Sequence, residues 1–488
     1  IWSVAQDGSD AQQHTDRQQW QIRTPYLNGD TIVFQSGAAL FTYDLGGGEI
    51  TQVDLFLMSD GDYGRERWID DPLAYLENAR MNPQGDAVVV TARGRMASAF
   101  TGQRRRIDHQ FPKEQRARSA AYSGDGESIY AILDHDDSGE IWQFPANGQG
   151  EPVQLTRDTD KYIWELYPSP HDNTLLYSDK GGRLYRLDPE TRRSQLIETT
   201  TSGGDFAFFD FNWSAGGRYL AYTYLDDRAM RRVGLYDTQS EKKAVVTTGK
   251  YESFAPALSA DGAWLYFLSN RNFNATPGSP WGDRNMGPAF DSRGLIYAVQ
   301  LDPEAAFPFD PPSELSSSDS SGTSESDENG DESGEPDIDF NGLSSRLYQV
   351  PVEAGNFAAL EATAKHLFVV SVDGNASLKR VRFTHEDPEL SDYASNVQNF
   401  ELSADGKKLF VQTGNGRTPN FVIVPSDKDY PSDTRNQTVR LSDWTLKIDP
   451  RDEWRQLVLD AWRLHRDFAY DPELRGVDWD AVRERYVP

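Results

Sequence analysis

The sequence predicts a mainly β protein built as a β-propeller with a short helical end. Three observations predict it. A strand-turn-strand unit recurs along the chain, the turns fall at a spacing of about one blade, and the hydrophobic period changes from two to 3.6 after residue 449. The recurring unit sets an Asp-Gly type turn before a run of aliphatic and aromatic residues, then adds a second strand. Its copies are "MNPQGDAVVVTARG" (81–94), "AYSGDGESIYAILD" (121–134), "PSPHDNTLLYSDKGGRLYRLD" (168–188), "FNWSAGGRYLAYTY" (211–224), "PALSADGAWLYFLSNR" (256–271) and "FELSADGKKLFVQTG" (400–414), with a weaker one at 357–372.

Aligned on Gly85, Gly124, Asp172, Gly216 and Gly262, successive copies lie 39, 48, 44 and 46 residues apart. That period suits a four-stranded blade. Gly and Asp serve where hairpin turns need positive φ, and the β-branched and aromatic runs suit strands packed between neighbours. A blade leaves apolar faces that only other blades cover, so the copies are expected to close into a ring.

Counting from residue 81 gives seven blades, placed at about 60–440. An eighth copy, "PYLNGDTIVFQSGAALFTYDLGGGEITQV" (25–53), precedes them and is followed by a break in the period. Residues 1–55 are therefore expected to be the C-terminal part of a first, six-bladed propeller. A single eight-bladed ring is the competing count. Residues 311–339 carry ten acidic side chains and neither Lys nor Arg. Such a segment cannot bury enough apolar surface to offset its ordering entropy, so a disordered acidic insertion is expected there.

The last segment, 445–488, reads as the start of a helical domain. Asp449 can cap a helix that has Pro450 at its first position and Asp452 in its first turn. Trp454, Leu457, Val458, Ala461, Trp462, His465 and Phe468 then follow at helical spacing and predict one broad apolar stripe that needs a covering surface, either the propeller or a further domain. Asp478 signals a second helix ahead of "WDAVRERY".

Composition narrows the function. With 488 residues, 37% of them hydrophobic, the chain can bury more than one core. Its net charge of −28 argues against nucleic-acid binding, which needs clustered Lys and Arg. No apolar run approaches the ~20 residues of a membrane helix. The lack of cysteine excludes disulfides, thiolate metal sites and a cysteine nucleophile. The chain opens on a strand at Ile1, and we expect residue 1 to lie inside a longer protein.

Motifs for chemistry are missing. Neither G-x-S-x-G, nor H-E-x-x-H, nor a P-loop occurs. His14, His109, His135, His171, His366, His385 and His465 show no ligand spacing. His135, in "LDHDDSGE", is expected in a solvated hairpin turn rather than a cation site, and His465 is expected to pack in the helix stripe. Arg104, Arg105 and Arg106 form the one dense basic cluster, which could attract carboxylates but reads better as a salt-bridged blade edge. The sequons at Asn212, Asn274, Asn375 and Asn436 carry no weight without evidence of secretion. The sequence therefore assigns no catalytic residue, no cofactor-binding residue, no metal ligand and no cofactor.

Three stretches add a resemblance. "YFLSNRNFN" (266–274), "IDFNGLSSRLYQVPVEAGNF" (338–357) and "EWRQLVLDAWRLHRDFAYDPELRGVDWDAVRERYVP" (453–488) follow one another around the acidic segment. In that order they resemble the tricorn protease family over essentially the whole chain. The resemblance implies a six-bladed and a seven-bladed propeller ahead of a helical cap, a PDZ domain and a serine-peptidase core. It also implies a cytoplasmic protein (periplasmic as the alternative) that degrades oligopeptides, homo-oligomeric when complete. The family's Ser and His machinery lies beyond Pro488, so no catalytic residue carries over, and this segment alone is expected to be inactive. Its seven-bladed propeller is thought to pass peptides along its axis through a ring without an interlocking strand. Residues 400–427 here likewise complete their blade without borrowing from 60–80.

Two other readings stay open. One is the propeller lid of a prolyl-oligopeptidase-like hydrolase; the other is a stand-alone propeller binding module of the periplasmic translocation type.

Overall fold

The computed structural model describes residues 1–487 except 17–19, 57, 59, 136–137, 158, 203–205, 276–289, 312–334 and 336. The chain divides into two compact units, Ile1–Arg65 and Glu66–Pro488. The smaller unit holds a four-stranded antiparallel sheet over residues 22–53 and a two-stranded pair, Trp2–Ser3 with Gln12–Gln13. Phe34, Phe41 and Tyr43 form its small core.

In the larger unit seven antiparallel sheets follow one another among the described residues: I (76–109), II (116–154), III (163–199), IV (208–245), V (253–349), VI (357–395) and VII (397–425). The first six have four strands and VII has three. Period-two alternation explains how they join. In sheet II, Ile129, Ala131 and Leu133 pack with Val89 and Met96 of sheet I, while Tyr130 and Ile132 face Leu166 and Leu175 of sheet III. Equivalent cores join III to IV, IV to V, V to VI and VI to VII. The seventh core joins Phe410 and Phe421 of sheet VII to Val88 and Val90 of sheet I, with Trp444 among them. Burial on both faces explains why the middle strands read as continuous apolar runs.

The first strand of each sheet is an edge with unpaired N–H groups, which a fold must satisfy or cover. Side chains of the adjoining sheet do so. Ser119 Oγ accepts from Leu166 N (2.9 Å), Asp210 Oδ2 from Ala255 N (3.0 Å), Asn212 Oδ1 from Leu258 N (2.8 Å), and Glu401 Oε2 from Met81 N (2.9 Å). β-Bulges in these first strands turn donors and acceptors sideways, with Ser119, Asp210 and Ala255 at positive φ.

No strand is exchanged between sheets I and VII. The missing outer edge of VII is supplied by residues 437–439, through Ile423 N to Gln437 O and Val439 N to Phe421 O. A separate two-stranded ribbon pairs Arg67–Ile69 with Leu446–Ile448.

The turn glycines require one correction. Gly85 and Gly262 do hold positive φ, but in the copies at 121 and 211 it is Gly126 and Gly217 that do, one or two places after the residues used for alignment. Most of the acidic insertion expected at 311–339 lies outside the described residues. Its last residues are seated on the propeller: Ile338 and Phe340 pack against the IV–V core, and Ile338 N donates to Tyr219 Oη (3.0 Å).

Both expected helices form. α1 spans Pro450–Phe468 and α2 spans Trp479–Tyr486; Asp449 accepts from Arg451 N and Asp478 from Ala481 N as their caps. Trp462 and Trp479 tie them, each indole N–H donating to the other's carbonyl (2.7 and 3.0 Å). Of the two covering surfaces left open for the apolar stripe, the propeller takes little of it, because α1 turns a largely polar face there. Glu453 pairs with Arg93 (2.6 Å) and Asp460 with Arg116 (3.0 Å), while Gln456 and Arg463 donate to the carbonyls of Glu114 and His135. Trp454 (48%) and Leu457 (64%) stay exposed, and His465 is exposed rather than buried, resting against the Trp479 ring. Strand-end carbonyls and charged loops offer α1 hydrogen bonds along most of its length, so a largely polar stripe docks, with Phe468 the apolar contact at its end.

Candidate functional site: the axial channel

The seven first strands converge on an axis, and their ends enclose a cavity of about 950 Å³. Every sheet contributes to its wall, among others Arg80 of I, Tyr122 of II, Tyr167 of III, Asn212 of IV, Leu258 of V, Glu361 of VI and Glu401 of VII. The cavity opens at the pole where first strands end. α1 sits at the opposite pole, against the loops after the second strands of I and II (Arg93, His135) and beside the start of the first strand of III. There Phe468 meets Tyr162 and Trp164 edge-on at 5.9 and 5.5 Å.

Arg80, Glu361 and Glu401 line the cavity, and Glu165 and Asp210 lie on the same set of first strands. Glu401 pairs with Arg80 across the I–VII seam. Tyr167 Oη donates to Glu165 Oε2 (2.6 Å), and burial pushes that phenol well above its ordinary range. Asn212 Nδ2 donates to Glu361 Oε2 (3.0 Å). Desolvation first, and the neighbouring Glu401 second, push the Glu361 carboxyl up to about 8. Asp210, also raised by burial, accepts from Ala255 N and Thr223 Oγ1. Farther out the mouth carries Lys365, Lys407, Lys408 and Lys428 beside Asp405 and Asp427. The channel thus offers polar and charged groups to a chain-like ligand.

One Ser–His contact does occur in the larger unit. Tyr122 Oη donates to Ser98 Oγ (2.8 Å), which lies 2.8 Å from His109 Nε2. Ser98 is fully buried and His109 nearly so, out of reach of any substrate. Burial lowers the imidazole to about 4. An unfolded chain therefore takes up a proton between pH 6.5 and 4 that the folded chain refuses, and stability falls as pH falls through that window. From pH 7 to 4.5 we expect a loss of about 2–3 kcal/mol from this group, read as the difference between wild type and His109→Gln in urea melts. Equal pH slopes would refute it.

The other sequence candidates resolve into structural roles. Arg104 pairs with Asp86 and lies over Phe100; Arg106 bridges Asp108 (2.8 Å) and Asp443 (3.0 Å), the salt-bridged edge foreseen for this cluster. His135 lends its carbonyl to Arg463, and Asp136 and Asp137 beside it lie outside the described residues. Among the described residues no three His, Cys, Asp or Glu side chains gather as a metal site, and no helix is long and apolar enough to cross a membrane. Asn212 is turned into the channel wall, bonded to Glu361 and Leu258.

Sequence reasoning missed the channel residues, although a signal was present. Arg80, Tyr167, Asn212, Glu361 and Glu401 each stand two places before the Asn, Ser or Thr that starts the turn after their first strand. The recurrence of a polar or phenolic side chain at one register of five first strands is the signal of a shared wall.

Comparison with known proteins agrees with this architecture. The family model described as the tricorn protease second beta propeller domain matches residues 76–418, and that of the tricorn protease C1 domain matches 450–488. Tricorn protease homolog 1 of Streptomyces coelicolor is 25% identical over all of this chain, and the tricorn protease of Thermoplasma volcanium 23%. The chain spans about half the length of these relatives, 47% and 45%. A crystal structure of the tricorn protease superposes on 99% of the chain and 45% of its own, with a TM-score of 0.77 at 18% identity. The two family matches, over most of the chain, show that it belongs to the tricorn protease family and holds its propeller region.

Proposed function

We propose that this chain is the substrate-gating part of a tricorn-type serine endopeptidase that degrades oligopeptides, and that it contributes no catalytic residue. The axial cavity, walled by all seven sheets, is the observation that carries the reading. An extended peptide fits a channel whose polar wall can exchange hydrogen bonds with its backbone, and α1 stands at the far pole, where a channelled peptide would leave. The exposed Trp454–Leu457 stripe supports a further domain seated on α1, as the start of the peptidase core requires. In this reading residues 1–55 close an earlier propeller, and the complete enzyme is a cytoplasmic homo-oligomer.

The bond-breaking step belongs to a serine attacking the peptide carbonyl with a histidine as base, both supplied outside these residues. Passage through the ring calls for a slight widening at the I–VII seam, which no exchanged strand locks. A disulfide engineered between sheets I and VII of the full-length enzyme should slow peptide hydrolysis, with reduction restoring it. Unchanged turnover in the oxidised form would sink the gating reading. The present chain, purified alone, should leave fluorogenic peptides uncut.

A further inference from the structure

The turn between the first and second strands is built alike in sheets II, V and VII. A serine begins it, and an aspartate two residues later turns its carboxylate back into the turn. Ser123 Oγ donates to Asp125 (2.6 Å), Ser259 Oγ to Asp261 (2.5 Å) and Ser403 Oγ to Asp405 (2.7 Å). The same carboxylates accept from the backbone N–H of Glu127 (2.8 Å), Ala263 (3.0 Å) and Lys407 (3.0 Å). Each turn thus presents donors that require an anion, and each supplies its own.

Sheet IV has the same turn without the aspartate. Its sequence is Ser214-Ala215-Gly216-Gly217-Arg218, with Gly216 where the others have Asp. The turn geometry is kept: Gly217 N bonds Ser214 O and Tyr219 N bonds Ser214 Oγ, as at the corresponding places in sheet V. The vacant carboxylate position is filled by Glu335, from the return leg of the insertion between the third and fourth strands of sheet V. Its carboxylate accepts from Ser214 Oγ (2.9 Å), Gly216 N (2.6 Å) and Arg218 N (3.1 Å). Arg218 adds charge from the side, held by Asp237 (2.9 Å) and reaching Asp337 (2.6 Å). A Cβ on Gly216 would stand 2.7 Å from the Glu335 side chain, so the missing side chain makes the room.

We infer that the Ser214–Arg218 turn is a carboxylate-binding site at the channel mouth, which Glu335 occupies from within the chain and which a peptide carboxylate takes when Glu335 is displaced. Its position supports this. Trp213 and Ala215, on either side of Ser214, line the cavity. So does the mode of occupation. In the sister turns the carboxylate is fixed two residues from its serine, whereas Glu335 arrives from 121 residues away and can leave without unmaking the turn. Ile338 and Phe340 hold the return leg to the IV–V core independently, so displacement of one side chain need not detach it. This inference stands apart from any catalytic role of the full-length protein.

The test uses the chain as it is, with a fluorescein-labelled Gly-Ser-Glu-Ser-Gly amide as probe. Glutamine replaces its glutamate in the control, and an acid-terminated Gly-Ser-Gln-Ser-Gly separates a terminal from a side-chain carboxylate. Glu335→Ala should bind a carboxylate probe about tenfold more tightly than wild type, the size of one charge-assisted hydrogen-bond set. The amide control should show no gain. Gly216→Asp combined with Glu335→Ala rebuilds the sister turn, should return binding to the wild-type level, and should regain the Tm lost in the single variant. Equal affinity of wild type and Glu335→Ala for both carboxylate probes would overturn the site. So would tight binding that persists in the double variant.

Discussion

Glu361→Gln should stabilise the protein increasingly as pH rises from 5 to 9. The carboxyl lies at about 8 in the folded chain and near 4.5 when unfolded, so between those values the folded state holds a proton that the unfolded state has released. A group raised in this way lends its full stability below pH 4.5 and loses it as pH climbs through 8. Glutamine keeps the acceptor for Asn212 and never ionises. The gap between variant and wild type should therefore widen to as much as about 5 kcal/mol near pH 9. Urea melts at four pH values measure it. A constant offset would mean that the Glu361 carboxyl is hydrated and ionised in the fold.

Asp134→Ala carries the second large effect, in the opposite direction. Arg118 and Asp134 face each other inside sheet II, Nε at 3.1 and 3.0 Å from the two carboxylate oxygens, with both side chains almost wholly buried. Arg118 also reaches the carbonyls of Ile163 and Trp164 and lies 4.2 Å from the centre of the Tyr162 ring, so it ties sheet II to sheet III. Removing the aspartate strands a desolvated guanidinium, at a cost of about 3–5 kcal/mol. The paired change Arg118→Met with Asp134→Leu should recover most of that loss, because it removes both charges together. If the single variant loses under 1 kcal/mol, water must reach the guanidinium between the sheets.

The fold was legible because each blade repeats one physical problem, a strand buried on both faces beside a tight turn. Ile129–Leu133, Leu175–Tyr177 and Trp264–Leu268 announce themselves as apolar runs after a turn. Residues 437–439 did not, since an outer strand of one or two bridges has no period to read. Which surface covers the apolar stripe of α1 was left open for a related reason. Hydrophobic spacing identifies the stripe that ought to be covered, but the loops of sheets I and II present carbonyls and arginines, and Glu453, Gln456, Asp460 and Arg463 answer those. Channel residues such as Glu361 and Asn212 escaped notice because a polar side chain in a strand reads as solvent-facing, whether the solvent lies outside the ring or along its axis. Glu335 lay in a stretch whose composition predicts nothing but acidity, and its partner was a missing aspartate in a turn far upstream.

The ribbon of Arg67–Ile69 with Leu446–Ile448 has a mechanical meaning. Arg67 pairs with Ile448, so the strand entering the ring starts beside the end of the strand leaving it. Tension applied to the two flanking chains would load these pairs one after another, like a zip, instead of shearing all of them together. The clasp therefore resists thermal fraying but gives way to a modest directed pull. Once it has parted, the Trp444 core and the Arg80–Glu401 pair are left to hold sheets I and VII together.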